Sequence, residues 1–180
     1  MRAFDCSVEL FCTAALATYL AQFGKYNLHS PVIFSLKGNA KMADIHRGKC
    51  LCESVTFKVR GPMRGVIYCH CSQCRRQTGH YLGATNVPND ALEVTGAEHV
   101  KWFKSSDEAE RGFCSHCGSV MFWRIAGRDY TSISAGLFDN PTDLKGEMHI
   151  FVEGKGDYYD ITDGLPQFER SSPSVKVAGA

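Results

Sequence analysis

Seven of the nine cysteines in this 180-residue chain fall into three short groups that could bind metal: Cys50-Leu51-Cys52, Cys69-His70-Cys71-Ser72-Gln73-Cys74 and Cys114-Ser115-His116-Cys117. A disulfide framework explains them poorly, because seven is odd and thiols at such close spacing seldom pair structurally. Thiolates two or three residues apart on a turn can instead reach one zinc ion at about 2.3 Å. Soft sulfur ligands favour zinc over magnesium, calcium or manganese, and an iron–sulfur cluster is the minor alternative.

Seven ligands divide most naturally into four and three, because a structural zinc is closed by four protein ligands whereas a catalytic zinc keeps one position open. For the closed site we assign two separate pairs, Cys50, Cys52, Cys114 and Cys117. For the open site we assign the three that a single loop contributes, Cys69, Cys71 and Cys74. In the alternative, both zinc ions are structural, and the fourth position of the second is filled by His70, His116 or a water. The two early cysteines, Cys6 and Cys12, are expected to bind no metal.

Basic residues flank the cysteine groups. Seven thiolates at −1 and two zinc ions at +2 would move the formal net charge of the chain from +1 to −2. Arg75 and Arg76 follow the second group, and Arg111 precedes the third. They either compensate the charge of the sulfur atoms or form a rim beside the open zinc, where a guanidinium would bind a substrate carboxylate. His70 and His80 are candidate proton carriers, or residues that hydrogen-bond to the zinc ligands and orient them.

Short strands have to position these groups. From residue 53 onward apolar and polar residues alternate, first at Val55, Phe57 and Val59, which is typical of a half-buried strand. Further strands are predicted, with turn residues between them, at 65–69, 81–87, 92–95, 100–104, 120–124, 130–135 and 149–152. Eight short strands and hardly a helix predict a mainly β fold of antiparallel sheets packed face to face.

The first forty residues differ in composition from the rest, and we place a domain boundary near Met42. Apolar residues at three- and four-residue steps between Val8 and Phe23 predict a helix there. Two other interpretations are a signal peptide and a start codon placed too early. We therefore expect an N-terminal extension over residues 1–41, one zinc-binding domain over 42–169 and a flexible tail over 170–180.

Composition excludes several classes of protein. With 44% hydrophobic and 22% charged residues, the chain has the mix of an ordinary globular protein rather than a disordered one. A formal net charge of +1 provides no electrostatic footprint for nucleic acid or an anionic membrane. No window approaches the roughly 18 consecutive apolar residues of a membrane span. We expect a cytoplasmic protein without a nucleic-acid or membrane partner, and predict no oligomeric state.

Between His46 and Glu169 the chain resembles the glutathione-dependent formaldehyde-activating enzyme family, which includes the centromere protein V relatives. The matching segments are residues 48–52, 69–79, 111–119, 134–137, 149–151 and 163–168. The resemblance implies a tent-like arrangement of antiparallel sheets held together by two zinc ions, with the ligands divided as above. It also implies a carbon–sulfur lyase that condenses formaldehyde with glutathione to S-(hydroxymethyl)glutathione. Glu53 stands where relatives commonly have glycine.

Two functional hypotheses follow. In the first, the zinc held by Cys69, Cys71 and Cys74 binds a thiol such as glutathione as thiolate, against a small carbonyl such as formaldehyde. Arg75 and Arg76 would then hold substrate carboxylates. In the second, the protein is a non-catalytic zinc-binding module with two structural zinc ions. Its contact surface would be built from aromatic side chains, Trp102, Phe103, Phe122, Trp123, Tyr158 and Tyr159.

The N-terminal extension is predicted to be dispensable, because the seven clustered cysteines all follow residue 45. Deleting residues 1–41 should leave the zinc content and the melting temperature nearly unchanged. Loss of folding on that deletion, followed by circular dichroism, would show that the 8–23 segment packs into the core.

Overall fold

The structure, a computed structural model, describes residues 44–172. Its strands are β1 (Ile45–Lys49), β2 (Thr56–Arg60), β3 (Val66–Cys69), β4 (Leu82–Pro88), β5 (Leu92–Thr95), β6 (Val100–Lys104), β7 (Ala109–Cys114), β8 (Val120–Ile125), β9 (Tyr130–Ser134) and β10 (Gly146–Ile150). One α-helix of this part of the chain, α1 (Ser72–Thr78), follows β3. Short 3-10 turns lie at Asn89–Ala91, Ala97–His99, Ala135–Leu137 and Val152–Gly154. The predicted mainly β fold is confirmed.

The strands form two sheets. The smaller has the order β1-β2-β5, and the larger has the order β10-β3-β4-β9-β8-β7-β6. Neighbouring strands run antiparallel as predicted, except that β10 lies parallel to β3. A hairpin can join only antiparallel strands, but six strands, β4 to β9, separate β3 from β10 in sequence, so no short turn fixes the direction of β10.

The core lies where residues of the two sheets pack together. Phe57 of β2 is central, since its ring makes edge contacts with Phe122 at 5.9 Å and Phe138 at 5.1 Å between centroids. The buried cluster around it also contains two of the metal-ligand candidates, Cys50 and Cys114. One group of cysteines is therefore built into the apolar core itself.

Strands β1 and β7 and helix α1 were not predicted, because none of them shows a regular pattern of apolar residues. The buried position of β1 is Gly48, where a Cβ would collide with the ring of Phe57. In β7 the buried positions include Arg111, which is charged, and Gly112, which has no side chain. Helix α1 has seven residues and only one of them, Cys74, is buried. Hydrophobic alternation detects none of these.

The two predicted end segments fall outside most of this description. Residues 1–41 lie outside the described residues, as does most of the predicted tail over 170–180. Within residues 44–172 we find no helix that is both long enough and apolar enough to span a membrane.

Candidate metal centre

The first cysteine cluster joins two turns that are far apart in sequence. Cys50 and Cys52 lie just after β1, whereas Cys114 ends β7 and Cys117 follows it. The four sulfur atoms lie within 4.8 Å of one another, with Cys52 Sγ at 3.6 Å from that of Cys50 and 3.7 Å from that of Cys114. Sulfurs around a tetrahedral zinc with about 2.3 Å bonds are about 3.8 Å apart. The donor set therefore fits zinc.

Backbone hydrogen bonds shape the first turn around its sulfur. The amide of Val55 donates to Cys50 Sγ at 3.4 Å, and that of Glu53 donates to the Cys50 carbonyl at 3.0 Å. Glu53 has φ of 62°, the left-handed region that glycine adopts without strain. The glutamate accordingly occupies a glycine-type backbone position, and its carboxylate pairs with Lys49 at 2.5 Å.

The partner turn is linked to the first by a serine. The hydroxyl oxygen of Ser119 accepts the amide proton of Leu51 at 3.0 Å and lies 3.3 Å from Cys117 Sγ. This hydroxyl lowers the pKa of Cys117 to about 5. Hydrogen bonding to Ser54 likewise lowers the pKa of Cys52. Both serines thus favour the thiolate form, which is the metal ligand.

The second cluster combines a strand end with a helix start. Cys69 ends β3, Cys71 is the N-cap of α1 and Cys74 lies in its first turn. This corrects the expectation of a single loop: the chain turns directly from β3 into a helix, and Cys71 Sγ accepts the Cys74 amide at 3.4 Å. The three sulfurs lie within 4.8 Å of one another and also suit zinc.

Hydrogen bonds among the three thiols of the second cluster shift their pKa values in opposite directions. Hydrogen bonds from Cys69 and then Cys74 lower the pKa of Cys71 to about 2. The pKa of Cys69 is raised for the same reason, since its thiol donates to Cys71. A bound cation would favour loss of the protons from the remaining thiols, because the thiolate is the metal ligand.

Neither candidate histidine provides a fourth ligand to this cluster. His70 is wholly buried, with Nδ1 at 2.5 Å from Tyr159 Oη and Nε2 at 2.8 Å from His149 Nδ1. His116 lies beside the first cluster, with Nδ1 at 3.0 Å from Ser54 Oγ. Within residues 44–172 the potential ligands of the second cluster are therefore Cys69, Cys71 and Cys74, with no histidine among them.

One arginine compensates the second cluster directly. Arg111 is 7% exposed, and its Nη1 lies 3.7 Å from Cys74 Sγ. Its guanidinium also donates to Gln77 Oε1 at 3.1 Å and Gln73 Oε1 at 3.0 Å, both on α1. Strand β7 ends at Cys114 of the first cluster, and through Arg111 it also places a positive charge against the second cluster.

Arg75 and Arg76 lie on α1 immediately after Cys74. Arg76 is exposed, whereas Arg75 is half-buried and its Nε donates to the Gly154 carbonyl at 3.2 Å. His80 is exposed, and its ring packs against Tyr81 and Tyr159 at centroid distances of 4.3 and 4.2 Å. Their predicted roles in substrate binding and proton transfer stay predictions.

A family model described as glutathione-dependent formaldehyde-activating enzyme matches residues 45–154, which include all seven clustered cysteines. The chain belongs to this family. A Schizosaccharomyces pombe (strain 972) protein named as an uncharacterized lyase is 27% identical over 124 residues, or 68% of this chain and 90% of that protein. A Rhodobacter sphaeroides protein of known crystal structure matches with a TM-score of 0.43 and 18% identity. That match covers 68% of this chain and 98% of the other, and its score is too low to add to the assignment.

Sequence reasoning assigned no role to His149 and Asp163, and it considered Tyr159 only as part of an aromatic contact surface. In the structure Tyr159 and His149 contact His70, and Asp163 contacts His149. Two of them belong to segments that carry the resemblance, 149–151 and 163–168. A histidine and a carboxylate in matching segments were the available signal. The contact of His149 with His70 could not be read from spacing, because it depends on the parallel pairing of β10 with β3.

The two clusters should respond differently to loss of a ligand. Cys52→Ser and Cys114→Ser are expected to unfold the protein, because binding energy at a structural zinc is folding energy. Cys71→Ser should leave it folded while one zinc ion per chain is lost. Circular dichroism with metal analysis measures both effects. Equal destabilisation by all three variants would contradict the division into four and three.

Proposed function

We propose that this protein is a cytoplasmic zinc enzyme that makes or breaks the carbon–sulfur bond between a thiol such as glutathione and a small carbonyl such as formaldehyde. Family membership and the lyase name of the relative support a lyase-type enzyme with a glutathione-related role. The observation that carries the proposal is the three-thiol cluster, whose neighbouring histidine is committed to other partners.

Cys69, Cys71 and Cys74 would hold the metal. When bound there, zinc would supply an open coordination position at which a thiol loses its proton. In the forward direction the sulfur lone pair forms the S–C bond and the C=O π pair moves to oxygen. That oxygen takes up one proton in place of the proton that the thiol lost. The reaction therefore consumes no oxidant, and its reverse expels the carbonyl.

The chain supplies charge compensation for a fourth sulfur. Three thiolates around a dication leave a net charge of −1, and a bound substrate thiolate would make the net charge −2. The guanidinium of Arg111 against Cys74 offsets part of this charge in a buried setting, where electrostatic interactions are strong. Arg75 and Arg76, which directly follow Cys74 on α1, are our candidates to bind the carboxylates of glutathione.

The alternative of a non-catalytic zinc-binding module has less support from the aromatic residues. Of the six side chains proposed as a contact surface, Phe122 is buried in the core. Trp102 stacks on Phe122 and is covered by Arg124, whose Cζ lies 3.8 Å from the ring centroid. Only Phe103 and Tyr158 of the six are more than half exposed, so these aromatics do not form one continuous surface.

Thiol binding tests the proposal. Calorimetric titration of the zinc-loaded protein should show glutathione binding, with proton release that depends on the buffer. A neutral thiol of similar size should bind less tightly, and Arg76→Gln should weaken glutathione binding about 2- to 5-fold, as expected for an exposed ion pair. Both differences should shrink at higher ionic strength.

The matched control is Arg128→Gln, which removes an exposed arginine from the turn between β8 and β9 and should change nothing. Absence of binding by either thiol, with both zinc ions present, would contradict the enzymatic proposal. Equal binding of the two thiols would remove the assigned role of Arg75 and Arg76.

A further inference from the structure

A chain of four polar side chains runs from the surface to the turn that carries the second cysteine cluster. Asp163 Oδ2 lies 2.9 Å from His149 Nε2, and His149 Nδ1 lies 2.8 Å from His70 Nε2. The other ring nitrogen of His70, Nδ1, lies 2.5 Å from Tyr159 Oη. Asp163 has a 45% exposed side chain, whereas both histidines are buried.

With both imidazole rings neutral, the outer carboxylate fixes the direction of every hydrogen bond in this chain. A carboxylate only accepts, so His149 Nε2 must carry the proton that it donates to Asp163. A neutral imidazole has one donor and one acceptor, so His149 Nδ1 accepts from His70 Nε2. His70 Nδ1 then accepts from the Tyr159 hydroxyl.

The charge state of the outer group agrees with this direction. Hydrogen bonds from the Leu165 amide and from His149 lower the pKa of Asp163, which keeps it a carboxylate.

The third member of the chain, His70, belongs to the metal-ligand turn, because it lies between Cys69 and Cys71. Its amide donates to the Ile150 carbonyl of β10 at 3.0 Å, so backbone and ring are both held from the same side. Gly154 packs against the same turn: a Cβ there would lie 3.2 Å from the His70 carbonyl oxygen and 3.3 Å from Cys71 Cα. The backbone that follows β10 is thus a support for the cysteine turn.

We propose that His149 and Asp163 are positioning residues for the three-cysteine cluster. Through this one-directional chain they hold His70 as its Nε2–H tautomer and so fix the Cys69–Cys71 turn in the arrangement that binds metal. That the held site then receives a thiol rests on the proposed function. The tautomer of His70 and the retention of zinc do not depend on the proposed function.

The test is long-range 1H–15N NMR of the zinc-loaded protein with 15N-labelled histidine, combined with the rate of zinc transfer to a chelator. His70 and His149 should both appear as Nε2–H tautomers. Asp163→Asn should give His149 an Nδ1–H fraction and accelerate release of one of the two zinc ions about 10-fold, the lower end of losses seen when a partner of a ligand residue is removed. Asp163→Glu should restore both properties.

The matched control is Asp160→Asn, which neutralises an exposed carboxylate three residues away and should change neither readout. If Asp163→Asn does not fold, Tyr159→Phe removes the opposite end of the chain and should accelerate release of the same single zinc while His149 stays Nε2–H.

Two results would overturn the proposal: an Nδ1–H tautomer of His70 in the unaltered protein, or release of zinc from the folded Asp163→Asn variant no faster than from Asp160→Asn. A failure of thiol binding with both tautomers as expected would count against the proposed function alone.

Discussion

Sulfur atoms 3.6 to 3.7 Å apart cannot all be thiolates unless positive charge lies between or beside them. Two unit charges at such a separation repel by about 4 kcal/mol even at an effective dielectric constant of 20. Seven thiolates in two clusters would therefore require cations, and the fold is arranged to provide or receive them. Zinc suits both donor sets, the guanidinium of Arg111 contacts Cys74, and the hydroxyls of Ser54 and Ser119 lie beside sulfurs of the first cluster.

The two clusters differ in how the chain is built around them. The first has two ligands in the apolar core and two closer to solvent, and it ties the turn after β1 to the turn after β7. The second sits at the start of a short helix, with its supporting contacts coming from β10 and the segment that follows. In our proposal the first is a closed structural site and the second is an open one, and the supporting segment keeps the open site in shape without adding a ligand.

The sequence was informative wherever a local pattern carried the signal. Eight of the ten strands within residues 44–172 were predicted, the first from alternation and the others from short runs between turn residues, although β10 begins three residues before its predicted start. The spacing of the cysteines predicted which sulfurs meet. Sequence reasoning failed at β1 and β7, because glycine at residue 48 and arginine at residue 111 occupy inward-facing positions. The spacing also did not reveal the roles of His149 and Asp163, since the contacts of His149 with His70 and of Asp163 with His149 depend on tertiary packing that no spacing encodes.

The most direct test of the account is X-ray absorption at the zinc edge of the fully loaded protein, before and after addition of glutathione. Seven thiols shared by two ions predict an average of about 3.5 sulfur ligands per zinc. One light oxygen ligand should complete the second site, with no imidazole signature. Glutathione should raise the average to about 4 sulfur ligands. An imidazole contribution at rest, or an average that saturating glutathione leaves unchanged, would contradict the claim that the three-cysteine site is open.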